Sequence, residues 1–151
     1  MNKVESFTKE YRFLSNFHPI KIITVDKTVG VLFFNSVEAA YQAAKCENPE
    51  DKMAFTKYNA ADAKAAGRKV TIRKDWDDIK LDVMEDLVRQ KFKNPILREC
   101  LMKTVGMELI EGNWWGDNYW GVDIKTGEGL NHLGNIITRI RDEIELETGA
   151  C

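Results

Sequence analysis

The chain has 151 residues, 44% of them hydrophobic and 30% charged, a balance that suits one globular domain with one core. Acidic residues outnumber basic ones, 24 to 22, for a net charge of −2. This argues against a protein that holds nucleic acid by bulk charge, although a local basic groove stays open. No apolar run approaches the ~18 residues that would span a bilayer, so no membrane association is expected.

The first residues, MNKVESFTKEYR, carry no apolar stretch of a secretory leader. Cys46, Cys100 and Cys151 are odd in number and widely spaced. They read as free thiols in a reducing compartment, which makes a cytoplasmic location the expectation. His18 and His132 are the only histidines, and neither CxxC nor HExxH occurs, so no metal site is expected.

Tyr11 to Pro19 reads YRFLSNFHP and sets Arg12, Ser15 and Asn16 among aromatics such as Phe13. Arg12 suits a phosphate and Asn16 a polar edge, but the run is equally a strand end with a turn. Residues 20–34 hold two β-rich runs around Asp26-Lys27-Thr28, a hairpin pattern. Ser36 then caps a helix over VEAAYQAAK. Val37, Ala40, Tyr41 and Ala44 form its core stripe. Glu38, Gln42 and Lys45 share a second face, with Glu38 in the first turn, where the helix dipole favours a carboxylate. A carboxylate fixed there suits an oxocarbenium ion or an activated water; a solvated face with a Glu-to-Lys pairing is the structural alternative.

Asn48-Pro49 opens a short helix with proline at its first position. Asn59 to Gly67 reads as a capped, alanine-rich helix closed by glycine. A longer helix starts after Asp75, with Ile79, Val83, Leu87 and Val88 as its buried stripe, and Asn94-Pro95 marks its end. Trp76 opens this helix, either as a stacking ring or as a core anchor. A helix from about Ile96 to Lys103 and a short strand at Glu108 to Glu111 follow.

Residues 112–131 contain five glycines and three tryptophans and read as a structured loop. Within GNWWGDNYWGVD, the rings of Trp114, Trp115, Tyr119 and Trp120 suit either base stacking or a core. Asp117 suits either a cleft carboxylate or a turn cap. GEGLNHLGN leads into the last helix, where free backbone amides would suit a phosphate. Asn131 is a cap or ligand contact there, and Gly134 implies a close approach by a ligand or another helix. Leu133, Ile136, Ile137, Ile140 and Ile144 then follow helical spacing. The sum is an α+β chain with many helices around a small sheet.

These blocks, in this order, resemble the NADAR superfamily with its YbiA-type members. YRFLSNFHP, FNSVEAAYQAAKC, DWDDIKLDVMEDLVRQKFKNP, GNWWGDNYWGVD and GEGLNHLGNIITRIR carry the likeness, from roughly Phe7 to Ile144. The resemblance implies one compact, mostly helical α+β domain over residues 1–151, with a small antiparallel sheet and one polar cleft. It implies N-glycosidase activity without metal or other cofactor. The substrate would be a ribosylamino-pyrimidine phosphate of riboflavin biosynthesis, or an ADP-ribosylated nucleobase such as guanine, free or in DNA. It implies no obligate protein partner.

Carried over by motif, Glu38 is the carboxylate expected to be catalytic, with Asp117 assisting. Arg12, Phe13, Ser15, Asn16, Lys45, Trp76, Trp120, Asn131 and Gly134 are the expected substrate-binding positions. Ile136-Ile137-Thr138 departs from the Leu-Met common in the family, a change in the core. A binding module that reads ADP-ribose or NAD without turnover is the rival reading, and a single-strand nucleic-acid binder is a third.

Overall fold

The computed structural model describes residues 2–148; Cys151, one of the three expected free thiols, lies outside them. The elements in chain order are β1 (Lys3–Val4), a 3-10 turn (Lys9–Leu14), β2 (Ile22–Asp26), β3 (Gly30–Phe34), α1 (Val37–Lys45) and α2 (Pro49–Ala54). A second 3-10 turn (Phe55–Lys57) leads to α3 (Ala60–Ala66), α4 (Trp76–Lys91) and α5 (Pro95–Met102). The chain ends with β4 (Glu108–Leu109), β5 (Gly112–Asn113), β6 (Val122–Asp123) and α6 (His132–Thr148). The described residues are thus α+β, as expected. No helix among them is long and apolar enough to cross a membrane. The chain divides into two units, residues 16–91 and residues 1–15 with 92–151.

In the unit of residues 16–91, β2 and β3 pair as the antiparallel hairpin that the two β-rich runs imply, with Ile22 opposite Phe34 and Asp26 opposite Gly30. Asp26 closes the turn: its Oδ1 accepts from the Thr28 and Val29 amides, and its Oδ2 pairs with Lys52 at 2.7 Å. Alternation puts Ile22, Leu32 and Phe34 inside and Ile23, Val25, Val31 and Phe33 outside. Ser36 caps α1 by accepting from the Ala39 amide at 3.0 Å.

Helix α1 is the centre of this unit, packed against α2, α3, α4 and the hairpin. Every residue from Val37 to Ala43 is buried. The solvated second face that its sequence allowed is therefore absent, because neighbours cover both sides. In α4 the buried stripe is Trp76, Met84, Leu87 and Val88. Ile79 and Val83, expected inside, are half-buried. The stripe is rotated toward Met84, which fills the place beside Asn16.

In the other unit, α6 buries Leu133, Ile136, Ile137, Ile140 and Ile144, the five residues its spacing selected. β4 lies beside α6 and pairs in parallel with β1. β5 and β6 form a second parallel pair. Among the described residues, the sheet structure therefore comprises one antiparallel hairpin and two short parallel pairs. β4 falls within the strand expected at Glu108 to Glu111, while β1, β5 and β6 carry too little alternation for a pattern to reveal them. Arg141 of α6, 4% exposed, donates to the Thr104 and Met107 carbonyls at 2.8 Å each.

Candidate active site

The α1 helix gathers a polar cluster in the middle of an apolar unit. Glu38, Gln42 and Asn16 are 9%, 8% and 8% exposed. Carboxylates and amides are seldom buried this far without partners, because losing water costs several kcal/mol for a charge. The partners here are specific. The Glu38 amide donates to the Asn16 carbonyl at 3.1 Å, which ties the start of α1 to the segment before β2. One turn later, Gln42 Nε2 donates to a Glu38 carboxylate oxygen at 2.7 Å. This charge-assisted bond fixes the carboxylate in the first turn of α1, where the dipole also favours negative charge.

Two acceptors remain. Asn16 Oδ1 and Gln42 Oε1 are buried without a hydrogen-bond partner among the described residues. Asn16 uses its amide nitrogen on Met84 Sδ, a weak acceptor at 3.4 Å. Orphaned buried carbonyls are rare, since each costs about 1–3 kcal/mol. Gln42 turns its oxygen away from the carboxylate, which leaves Asn16 Oδ1 as the acceptor suited to a hydroxyl or amino group that donates.

Lys45 ends the same helix, half-buried. Burial holds its ammonium below the ordinary lysine range, and the nearby Glu38 carboxylate opposes the shift. Trp76 packs its ring 5.0 Å from that of Tyr41 and is 6% exposed. Of the two roles its sequence left open, the buried ring fits the core anchor and offers no free face for stacking. The structure thus brings Asn16, Glu38 and Lys45 together in one unit, along with Gln42.

In the other unit, the glycine-rich loop is organised by Asn113 and Asp117. Asn113, wholly buried, donates to the Asp117 carbonyl at 2.7 Å and accepts from the Asp117 amide at 2.9 Å. Asp117 Oδ1 accepts from the Tyr119 and Trp120 amides at 3.1 and 3.0 Å. One carboxylate oxygen is therefore spent on a turn cap. Trp120 is half-buried, edge-on to Tyr119 at 4.9 Å and to His132 at 6.3 Å. Trp114 and Trp115 are 54% and 62% exposed, so these two are not core.

The start of α6 departs from expectation. The amides of Leu130, Asn131, His132 and Leu133 donate to the carbonyls of Asn118, Gly121, Tyr119 and Trp120. Donors expected to hold a phosphate are occupied by the loop itself. Asn131 sits at φ +53°, with Oδ1 accepting from the Glu111 amide and Nδ2 donating to the Leu109 carbonyl, both at 2.9 Å. It splices the helix start onto β4. Gly134 is buried, and a Cβ there would lie 2.3 Å from the Leu109 carbonyl oxygen. The close approach its glycine implied is made by a strand, not by a ligand or another helix.

Arg12 is exposed at the end of the first 3-10 turn, while Phe13 and Ser15 are half-buried. No cluster of His, Cys, Asp and Glu among the described residues is arranged to hold a metal. Sequence reasoning placed Gln42 beside Glu38 but gave it no function. The i, i+4 spacing was the available signal, and burial was the missing fact.

The family model described as the NADAR domain matches residues 4–145. An N-glycosidase of Nostoc punctiforme is 36% identical over 141 residues, covering 89% of this chain and 86% of its own. The chloroplastic riboflavin biosynthesis protein PYRR of Zea mays is 34% identical over 144 residues, 86% of this chain but 23% of that protein. The NMR structure of the E. coli protein YbiA superposes with a TM-score of 0.80 at 27% identity, covering 97% of this chain and 88% of that one. This chain belongs to the NADAR family.

Proposed function

We propose that this protein is an N-glycosidase that hydrolyses the bond between a ribose carbon and a nitrogen, with Glu38 as its catalytic carboxylate. The observation that carries the reading is a buried, dipole-favoured carboxylate clamped by Gln42, in a chain whose relatives include a named N-glycosidase. As the C1′–N bond breaks, its electron pair passes to the departing nitrogen, and positive charge builds on the ribose. Glu38 stabilises that charge and accepts a proton from the attacking water, which bonds to C1′. The proton then passes to the departing nitrogen. Asn16 Oδ1 accepts from a ribose hydroxyl, and Lys45 faces the phosphate.

The motif likeness carries Asp117, Trp120, Arg12, Phe13 and Ser15 as further candidate binding positions, all of them in the other unit, where Asn131 and Gly134 shape the glycine-rich loop. Residues 1–151 act as one domain, in the cytoplasm, without a cofactor or obligate protein partner. The substrate is a ribosylamino-pyrimidine phosphate of the riboflavin route, which agrees with the maize relative being a riboflavin biosynthesis protein.

Mass-spectrometric product analysis tests this reading with two substrates, a ribosylamino-pyrimidine phosphate and DNA bearing ADP-ribosylated guanine. Ribose phosphate released from the first is the expected result. ADP-ribose released from the DNA alone would move the substrate to modified nucleobases. Tight ADP-ribose binding with no product from either would leave the reader of ADP-ribose or NAD as the better account.

A further inference from the structure

We propose that Gln42, seated on Gly67, is the positioning residue that sets the Glu38 carboxylate, and that position 67 must be glycine to admit its amide. The inference rests on the reading of Glu38 as the catalytic carboxylate. A carboxylate only accepts, so the Gln42 NH2 must face it, and Oε1 must point the other way. The 2.7 Å bond fixes that orientation. What lies on the far side is Gly67, the residue that closes α3, and α3 packs on α1.

Gly67 is not glycine for its backbone. Its φ of −62° and ψ of −19° are right-handed helical, a region open to every L residue, and alanine would be the better helix former. Its reason is space. A Cβ at position 67 would lie 2.0 Å from Gln42 Oε1 and 2.6 Å from Cδ, well inside contact distance. The third neighbour, the Ala63 carbonyl oxygen, would be at 3.2 Å, which a shift of a few tenths of an ångström relieves. Gln42 is 8% exposed, so its amide can leave the methyl only by leaving Glu38. The backbone of Glu38 stays tied to Asn16, and the carboxylate is what would move. The unpartnered Oε1 fits this account, since it rests against a CH2 rather than a donor.

The test is a double-mutant cycle on the full chain, read as kcat and KM for ribosylamino-pyrimidine phosphate hydrolysis, with thermal melting alongside. Gly67→Ala, Gln42→Ala and Gln42→Met should each lower kcat about 10- to 100-fold, the scale of a misplacement of about 1 Å, with KM changed little. Gln42→Met keeps the bulk and removes the donor, so it separates the hydrogen bond from packing. Gly67→Ala in the Gln42→Ala background should cost nothing further, because the oxygen it strikes is gone. Full kcat in Gln42→Met, or equal losses from Gly67→Ala in both backgrounds, would overturn the proposal. Glu38→Gln, measured beside them, separates the two claims. If it is inactive while the Gln42 variants work, only the positioning role falls; if it keeps full turnover, both fall.

Discussion

Gly134→Ala asks whether the glycine in α6 serves packing. In an exposed helix this change gains about 1 kcal/mol from propensity. Here the new Cβ meets the Leu109 carbonyl oxygen at 2.3 Å and the Asn131 side chain at 2.5 Å. Both are about 1 Å inside contact, and overpacking of that kind costs about 1–3 kcal/mol. Relief by moving Asn131 would also surrender its bonds to Leu109 and Glu111, worth about 1 kcal/mol net each. Set against the gain in propensity, the variant should be about 2–4 kcal/mol less stable. Urea unfolding followed by circular dichroism measures this, with the slope unchanged and the midpoint lowered. A variant as stable as the parent, or more so, would mean that β4 does not press on α6 as described.

Arg141→Lys should destabilise by about 2–3 kcal/mol in the same assay, because the shorter side chain does not bring its nitrogen to the Nη1 position that serves the Thr104 and Met107 carbonyls, and the Nε bond to Asp142 is lost. Lys91 gives a pH dependence. Burial pushes its ammonium down to about 7, so between about pH 7 and 10 the unfolded chain binds the extra proton. Stability therefore rises with pH through that window, by up to about 1 kcal/mol per unit; it falls as pH drops from about 10 to about 7 and levels off below 7, where both states bind the proton. Lys91→Met should flatten that slope in urea titrations at several pH values. An unchanged slope would show that Lys91 is charged where it lies.

Much of the fold was legible because it is written in helices with caps. Ser36 and Asn59 each accept the backbone amides that their sequence positions imply, and the apolar spacing of α6 is met in full. The parallel pairing was not legible, since two residues show no period and, for β1 and β4, the partner is far away in sequence. In the candidate site, the first-turn position singled Glu38 out, but only the motif likeness chose catalysis over a solvated helix face. Its burial was not legible, because α1 has neighbours on every side, which only the tertiary structure supplies.

The loop residues divided differently. Asp117 and Asn131 stood out as polar residues in a glycine-rich run, and both bind backbone. Sequence alone does not separate a residue that shapes a loop from one that touches a substrate. Both tasks call for short polar side chains beside glycine.

The central claim is that Glu38 carries the chemistry. Single-turnover hydrolysis of ribosylamino-pyrimidine phosphate by Glu38→Gln, beside the parent protein, tests it most directly. The substitution keeps the shape and removes the charge, so the variant should melt within a few degrees of the parent. Its rate should fall by about 10²- to 10⁴-fold, the usual worth of a catalytic acid or base. A folded variant that turns over at the parent rate would contradict the account.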